Sequence, residues 1–195
     1  MKRARAVQHL EGLATSCADM AAKPASIVPL RVVQLWAVED VPDEVEWVRV
    51  ALAVDLPVDG VPWLTQPRGA EQWANATRLA KNPITALWRS SHAPVWNHEI
   101  ERPILLWDAR DGLVEPALSA LREQRAEEFR SPAPTRESLR ARVDEELAVS
   151  LGALRARSRD YQERRWAPGK VTAIADPLWQ AGNGYLDLLD AQGRL

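Results

Sequence analysis

The nineteen residues from Ser90 to Asp108 concentrate side chains that can bind or react. Their sequence is SSHAPVWNHEIERPILLWD, which holds two of the chain's three histidines, two of its nine tryptophans and an asparagine. Imidazole, indole and carboxamide groups supply the aromatic planes and polar anchors of small-ligand pockets. We expect a loop that leads into a buried strand, and the candidate ligand-binding residues on this loop are His92, Trp96, Asn97 and His98.

A second group of such side chains precedes this loop. Asn75, Arg78 and Asn82 are three and four residues apart, so a helix would place them on one face, and Trp73 lies on the same segment. The two segments together predict a pocket wall of hydrogen-bond donors beside aromatic planes. The alternative is that Trp73 belongs to the core, Arg78 is solvated and the asparagines cap helices.

Motifs for metal binding and nucleophilic catalysis are missing from the sequence. His92 and His98 are six residues apart, with no HExxH motif and no cysteine partner. The sequence also has no G-x-S-x-G motif and no glycine-rich phosphate loop. We therefore expect no metal site and no cofactor, and we favour a protein that binds without catalysis.

Composition and charge narrow the class of protein further. The 25 basic and 27 acidic residues give a net charge of −2, which does not suggest nucleic-acid binding. The one cysteine, Cys17, excludes a disulfide within the chain and falls on the apolar face of a predicted helix. No stretch approaches 18 apolar residues, so no membrane span is expected and a cytoplasmic location is predicted. The expected partner is an unknown small molecule or protein.

Hydrophobic periodicity predicts the elements that must position these side chains. In the first part of the chain they are a helix over 4–22, strands over 27–40 and 45–57, a helix over 70–80, a short helix beginning at Asn82-Pro83 and a strand over 101–108. The strands are apolar on both faces, which is typical of a sheet covered on both sides. The short connection between the first two strands favours an antiparallel hairpin.

The rest of the chain is predicted to be helical. Helices are expected over 113–129, over 136–165 after the linker SPAPT, and from Asp176-Pro177 to Asp190. The predicted fold class is α+β: a small, mainly antiparallel or mixed three-stranded sheet covered by helices on both faces, with a C-terminal helical pair. An α/β core over 1–130 and a helical segment over 136–195, packed as one unit, are the predicted domain organisation.

Acidic residues near the strand ends carry a resemblance to a known fold. Glu44 and Glu46 alternate at the start of the second strand, and Asp108 ends the third. This order resembles the minimal nucleotidyltransferase fold, in which such carboxylates hold two divalent metals for phosphoryl transfer. The resemblance implies Glu44, Glu46 and Asp108 as catalytic residues with Mg²⁺. In place of the family's Gly-Ser turn, however, this chain has Val38-Glu39-Asp40.

The whole chain also resembles an uncharacterised family of actinobacterial proteins, a domain of unknown function. The stretches MKRARAVQHLE, WANATRLAKNP and HAPVWNH carry this resemblance, which implies no activity. The favoured function is a non-catalytic small-ligand or partner-binding protein with its site in residues 73–108. The alternatives are a degenerate metal-dependent nucleotidyltransferase and an interaction module that uses the charged helix 136–165.

Overall fold

A computed structural model describes all of residues 1–195. The helices are α1 (Arg3–Ala21), α2 (Ala70–Ala76), α3 (Glu115–Arg122), α4 (Arg136–Arg164) and α5 (Thr172–Arg194). The strands are β1 (Val32–Ala37), β2 (Val48–Val54), β3 (Ile84–Ser90), β4 (Ile104–Asp108) and β5 (Gly112–Leu113). Short 3₁₀ turns occur at Val58–Gly60, Leu79–Lys81 and Ala126–Phe129.

The five strands form one mixed sheet in the order β3-β2-β1-β4-β5. β1 pairs antiparallel with β2 and with β4, β4 pairs antiparallel with β5, and β2 pairs parallel with β3 along all seven residues. Because β2, β3 and β4 run in the same direction, the connection over 91–103 must return from the end of β3 to the start of β4. This connection carries the predicted ligand loop.

Helices cover both faces of the sheet. On the first face α1, α2 and α3 enclose the larger apolar core, which includes Cys17, Trp73 and Trp88. Burial raises the pKa of the Cys17 thiol to about 12, so this residue is a core side chain rather than a reactive one. On the second face, Val143 and Leu147 of α4 and Leu188 of α5 pack with Ala51 of β2 and the 91–103 connection.

The predicted fold class is confirmed, although the sheet has five strands rather than three. The prediction of a short helix that begins at Asn82-Pro83 is wrong, because residues Ile84–Ser90 form strand β3. Asn82 is instead extended (φ −102°, ψ 150°), as residues before proline usually are. Ile84 and Trp88 then face the first core while Leu87 faces the second, and pairing with β2 makes the segment a strand.

Several helix boundaries also differ from the predictions. The helix expected over 113–129 ends at Arg122, where Gln124 adopts a positive φ of 59° before the 3₁₀ turn. The last helix begins at Thr172 rather than at Asp176, so Pro177 lies inside α5. The α4 prediction over 136–165 is confirmed, and the Thr135 hydroxyl caps this helix by accepting from the Ser138 N–H at 3.1 Å.

Gly184 allows α5 to pack closely against the segment that contains Trp63. A Cβ at this position would lie 2.1 Å from the carbonyl oxygen of Trp63, which is closer than any non-bonded contact allows. By contrast, a Cβ at Gly152, inside α4, would meet nothing within 4 Å. The two glycines therefore have opposite roles: the first is required by packing, and the second only lowers the helix propensity.

Replacing Gly184 by Ala should therefore destabilise the protein, since α5 must move away from Trp63. We expect the free energy of unfolding to fall by about 2–3 kcal/mol, as for overpacked core sites. Gly152→Ala is the matched control and should raise it by about 0.5–1 kcal/mol. Urea unfolding followed by circular dichroism measures both; equal effects would contradict the close approach of α5.

Candidate functional site

A cavity of about 590 Å³ opens at the end of the sheet where β1 ends and β2 begins. It lies between the start of α1, the connection over 38–47, the end of α3 and the 3₁₀ turn that follows. We call it the Trp47 pocket. It is lined by Arg3, Glu39, Asp40, Val41, Pro42, Val45, Trp47, Val48, Leu121, Gln124, Ala126 and Glu127.

The start of the chain holds one wall of the Trp47 pocket in place. The Met1 nitrogen donates to the carbonyl oxygen of Val45 at 2.7 Å, and Arg3 Nε donates to that of Val41 at 2.8 Å. The Arg3 guanidinium also pairs with Asp43 at 2.7 Å. These contacts fix both halves of the β1–β2 connection, which is longer than a tight hairpin turn and needs such support.

Ion pairs surround the pocket mouth. Three of the lining carboxylates each pair with an arginine: Glu39 with Arg49 at 3.3 Å, Asp40 with Arg130 at 2.8 Å and Glu127 with Arg102 at 2.6 Å. Because these arginines are partly buried and their partners are half exposed or more, the carboxylates keep oxygen atoms accessible to a ligand. The lining residues include three acids and one cation, Arg3.

One feature of the Trp47 pocket is unusual for a passive surface. Trp47 is 53% exposed although it stands directly before a buried strand, so its indole offers an open aromatic plane. Gln124 holds a left-handed backbone conformation that a side chain disfavours, and its amide lies against the Arg3 guanidinium. This is the residue after the C-cap of α3, where the Arg125 N–H donates to the Ala120 carbonyl oxygen at 2.8 Å, so the conformation is that of an ordinary helix C-terminus.

Sequence reasoning missed this pocket because its residues come from three distant segments. The signal that was present is Trp47 itself, a large aromatic residue in the otherwise polar stretch PDEVEW. Nothing local shows that α1 and α3 close around it.

The predicted wall over 73–82 does not form one surface. Trp73 is buried in the first core, where its ring packs edge-on against Trp88 at 5.7 Å between centroids. Asn75 and Arg78 are exposed, and Arg78 has a positive φ of 54° because α2 has already ended at Ala76. Asn82 contacts His9 of α1, with Oδ1 at 3.1 Å from Nδ1.

The predicted loop residues are divided between separate contacts. His92 is exposed and pairs with Asp55 at 2.8 Å, whereas His98 is half-buried, with only 5% of its side chain exposed, and pairs with Asp187 of α5 at 2.8 Å. Trp96 is half-buried, and Asn97 is fully buried. Since Asn97 lies on the second face and Trp73 on the first, the eight predicted side chains do not converge on one cavity.

Asn97 belongs to a buried ionic cluster, which we define as Arg89, Asn97, Arg142 and Glu146. The Glu146 carboxylate pairs with the Arg89 guanidinium, and its second oxygen accepts from Asn97 Nδ2 at 3.0 Å. Arg142 Nε lies 3.0 Å from the same carboxylate, in an ion pair without hydrogen-bond alignment. Arg89 also donates from Nε to the carbonyl oxygen of Val95 at 3.0 Å.

The electrostatics of this cluster favour the ionised carboxylate. Burial by itself raises the pKa of Glu146, but the charge and hydrogen bond of Arg89, the charge of Arg142 and the amide of Asn97 together outweigh it. The pKa of Glu146 therefore lies below its usual value of 4.5. This carboxylate is committed to joining β3, the 91–103 connection and α4, and is not available as an acid or base.

A second group, at the contact between the loop and α5, could hold a metal ion. Ligand atoms of His98, Glu99 and Asp187 lie within 4.8 Å of one another. Asp187 Oδ2 already accepts from Trp63 Nε1 at 2.6 Å and contacts His98 Nε2, and Glu99 pairs with Arg49 at 3.2 Å. These contacts account for the group as a polar link between α5 and the body of the protein.

The carboxylates implied by the nucleotidyltransferase resemblance lie at opposite ends of the sheet. Glu44 and Glu46 are exposed before β2, whereas Asp108 ends β4 beside Gln34, at the other end of β1. Burial raises the pKa of Asp108, but hydrogen bonds from the Arg110 backbone and the Gln34 side chain lower it more. Two metal ions about 4 Å apart need their carboxylate ligands around one small volume, which this topology does not provide.

The fold and the pocket define a mixed α+β protein with an open, partly apolar cavity at one end of its sheet. A family model, the domain of unknown function DUF7711, matches residues 1–194. The chain belongs to this family, in agreement with the resemblance to a domain of unknown function; the actinobacterial origin and cytoplasmic location stay predictions. Neither the curated proteins nor the solved structures include a match. None of the helices has the length and apolar character needed to cross a membrane.

Glu146→Gln should destabilise the protein strongly, because it keeps the side-chain shape but leaves the buried guanidinium of Arg89 without a counter-charge and that of Arg142 with only the exposed Glu145. We expect a loss of about 3–5 kcal/mol in the free energy of unfolding. The control is Glu145→Gln, one residue away and largely exposed, which should change it by less than about 0.5 kcal/mol. Similar losses in the two variants, measured by urea unfolding, would contradict a stabilising buried cluster.

The same carboxylate predicts a pH dependence. Because the pKa of Glu146 is lower in the folded protein than its usual 4.5, this side chain takes up its proton at a higher pH in the unfolded chain than in the folded protein. The stabilisation is therefore complete above pH 4.5 and is lost as the pH falls further. Between roughly pH 5 and pH 3, the unfolding free energy should fall less steeply in Glu146→Gln than in the wild type. Parallel curves would show that other carboxylates cause the acid sensitivity.

Proposed function

We propose that this protein binds a small organic ligand in the Trp47 pocket. The observation that carries the proposal is the half-exposed indole of Trp47 on the wall of a cavity of about 590 Å³. Cavities of roughly 300–1,000 Å³ with an apolar lining and a few polar groups are typical of ligand sites. Val41, Val45 and Leu121 supply that lining here.

The charges around the pocket favour a particular class of ligand. Glu39, Asp40 and Glu127 place three carboxylates at the mouth; each is paired with an arginine but stays half exposed or more, and the one lining cation, Arg3, is itself paired with Asp43. A cationic group is attracted both by these carboxylates and by the face of an indole ring. The ligand is therefore an amine or another organic cation with a flat or apolar body that stacks on Trp47.

The pocket replaces the site proposed over residues 73–108, because those side chains lie on both faces of the sheet. The nucleotidyltransferase alternative requires Glu44, Glu46 and Asp108 to hold Mg²⁺ together. It is not supported, because Asp108 lies at the opposite end of the sheet from the two glutamates. The interaction-module alternative, which used the charged helix over 136–165, is better placed on α5, because Trp179, Leu186 and Leu189 of this helix are exposed, as are Trp166 and Val171 in the connection before it.

Binding of organic cations can be tested with a panel of aromatic and aliphatic amines, followed by the indole N–H signals in ¹⁵N NMR spectra. The Trp47 signal, assigned with Trp47→Phe, should shift on binding. Trp47→Ala should weaken binding at least about tenfold, or about 1.4 kcal/mol, without loss of thermal stability. Trp166→Ala, which removes an exposed indole outside the pocket, is the control and should bind as the wild type does.

Two results would contradict the pocket. In the first, amines shift the signals of other tryptophans while that of Trp47 stays unchanged. In the second, Trp47→Ala and Trp166→Ala weaken binding equally, which would mean that the amines contact exposed indoles without a specific site. Asp40→Asn then separates charge from stacking: it should weaken the cationic members of the panel more than their neutral analogues.

A further inference from the structure

Helix α5 has two apolar seams, of which the protein covers one. The inner seam alternates steps of three and four residues and faces α4 and the sheet; its buried members are Ile174, Ala181, Gly184, Leu188 and Ala191. The outer seam has the same spacing and consists of Thr172, Ala175, Trp179, Gly182, Leu186, Leu189 and Gly193. At 3.6 residues per turn the two seams lie on nearly opposite sides of the helix.

The outer seam exposes large apolar side chains. Trp179 is 69% exposed and Leu186 is 61% exposed, and Leu189 continues the row. An alternation of three and four residues with apolar side chains is the pattern by which one helix packs along another. A surface helix in a globular protein ordinarily needs only one such stripe, so the second indicates that another helix covers it.

We propose that the occupant is a second copy of this chain, packed through an antiparallel contact between the two α5 helices. A two-fold axis near Gly182 and Asn183 would place Trp179 of each copy on Leu186 of the other. Gly182 lies near the centre, half-buried at the edge of the seam beside Leu154 of α4, and its lack of a side chain leaves room for the partner helix. The contact is isologous, as in most homodimers.

Charge complementarity selects this orientation. Residues 155–170, at the far end of the α4–α5 pair, contain six basic and two acidic residues, a net charge of +4. The near end, residues 136–148 and 186–195, contains six acidic and four basic residues, a net charge of −2. An antiparallel contact places each basic end against an acidic end of the partner and also opposes the two helix dipoles, whereas a parallel contact brings the basic ends together.

The exposed apolar area lies at the lower limit of what such a contact requires. A tryptophan buries about 150–250 Å², so Trp179, Leu186, Leu189 and the neighbouring Trp166 and Val171 offer roughly 500 Å² of apolar surface per copy. Two copies thus approach the ~1,000 Å² that a specific interface requires. Trp166 is 83% exposed beneath the Arg165 guanidinium and would lie at the edge of this contact.

Sedimentation equilibrium of the full chain tests the proposal. We expect a dimer at tens of micromolar, with Trp179→Glu and Leu186→Glu each raising the dimer dissociation constant at least about tenfold. Trp47→Glu introduces the same charge at an exposed indole outside the seam and should leave the dimer intact. A monomeric wild type at about 100 μM, or seam variants that keep the dimer mass, would overturn the proposal. Circular dichroism checks that the variants are folded.

Cysteine cross-linking tests the orientation separately. An antiparallel pair brings residue 175 of one copy near residue 190 of the other, so a mixture of Ala175→Cys and Asp190→Cys should form a covalent heterodimer under mild oxidation. Ala175→Cys by itself should not cross-link. The native Cys17 is buried in the first core and does not compete. Cross-linking of Ala175→Cys with itself but not with Asp190→Cys would reject the antiparallel arrangement.

Discussion

The buried carboxylate of Glu146 is the constraint on which the second half of the structure depends. A charged group can be buried only if its charge and its hydrogen-bonding capacity are satisfied. Arg89 of β3, Asn97 of the long connection and Arg142 of α4 meet that requirement. Because they come from three separate segments, the ion cluster selects one position for α4 over the sheet and holds the 91–103 connection between them.

The position of α5 follows from that of α4 and from contacts around Trp63. The indole N–H of Trp63 donates to Asp187, its backbone carbonyl requires a glycine at position 184, and the Arg89 guanidinium lies over its ring at 5.2 Å from the centroid. His98 meets the same aspartate. The polar 91–103 connection therefore mainly links the helical pair to the sheet. The outer seam of α5 stays uncovered.

The Trp47 pocket is stabilised by different means at the end of the sheet. Met1 and Arg3, before and at the start of α1, hydrogen-bond to the β1–β2 connection, and arginines of the neighbouring segments pair with the acids at the mouth. These charges are accessible to solvent, so each pair stabilises the protein little by itself. The ion pairs keep a concave surface open beside Trp47, whereas apolar side chains in their place would pack closely and fill it.

Sequence alone determined the elements with long, regular patterns. It established α1, the β1–β2 hairpin, β4 and α4, and with them the α+β class, because each stripe or apolar run extends over enough residues to exclude the other secondary structure. It also identified Cys17 as a core residue.

Only the tertiary structure decided that 84–90 is a strand, since pairing with β2 outweighs the local helical pattern. It likewise decided that Asn97 is buried against Glu146, that Asp108 lies far from Glu44, and that Arg3, Trp47 and Gln124 enclose one cavity. Each of these depends on contacts between segments tens of residues apart, which no local spacing encodes.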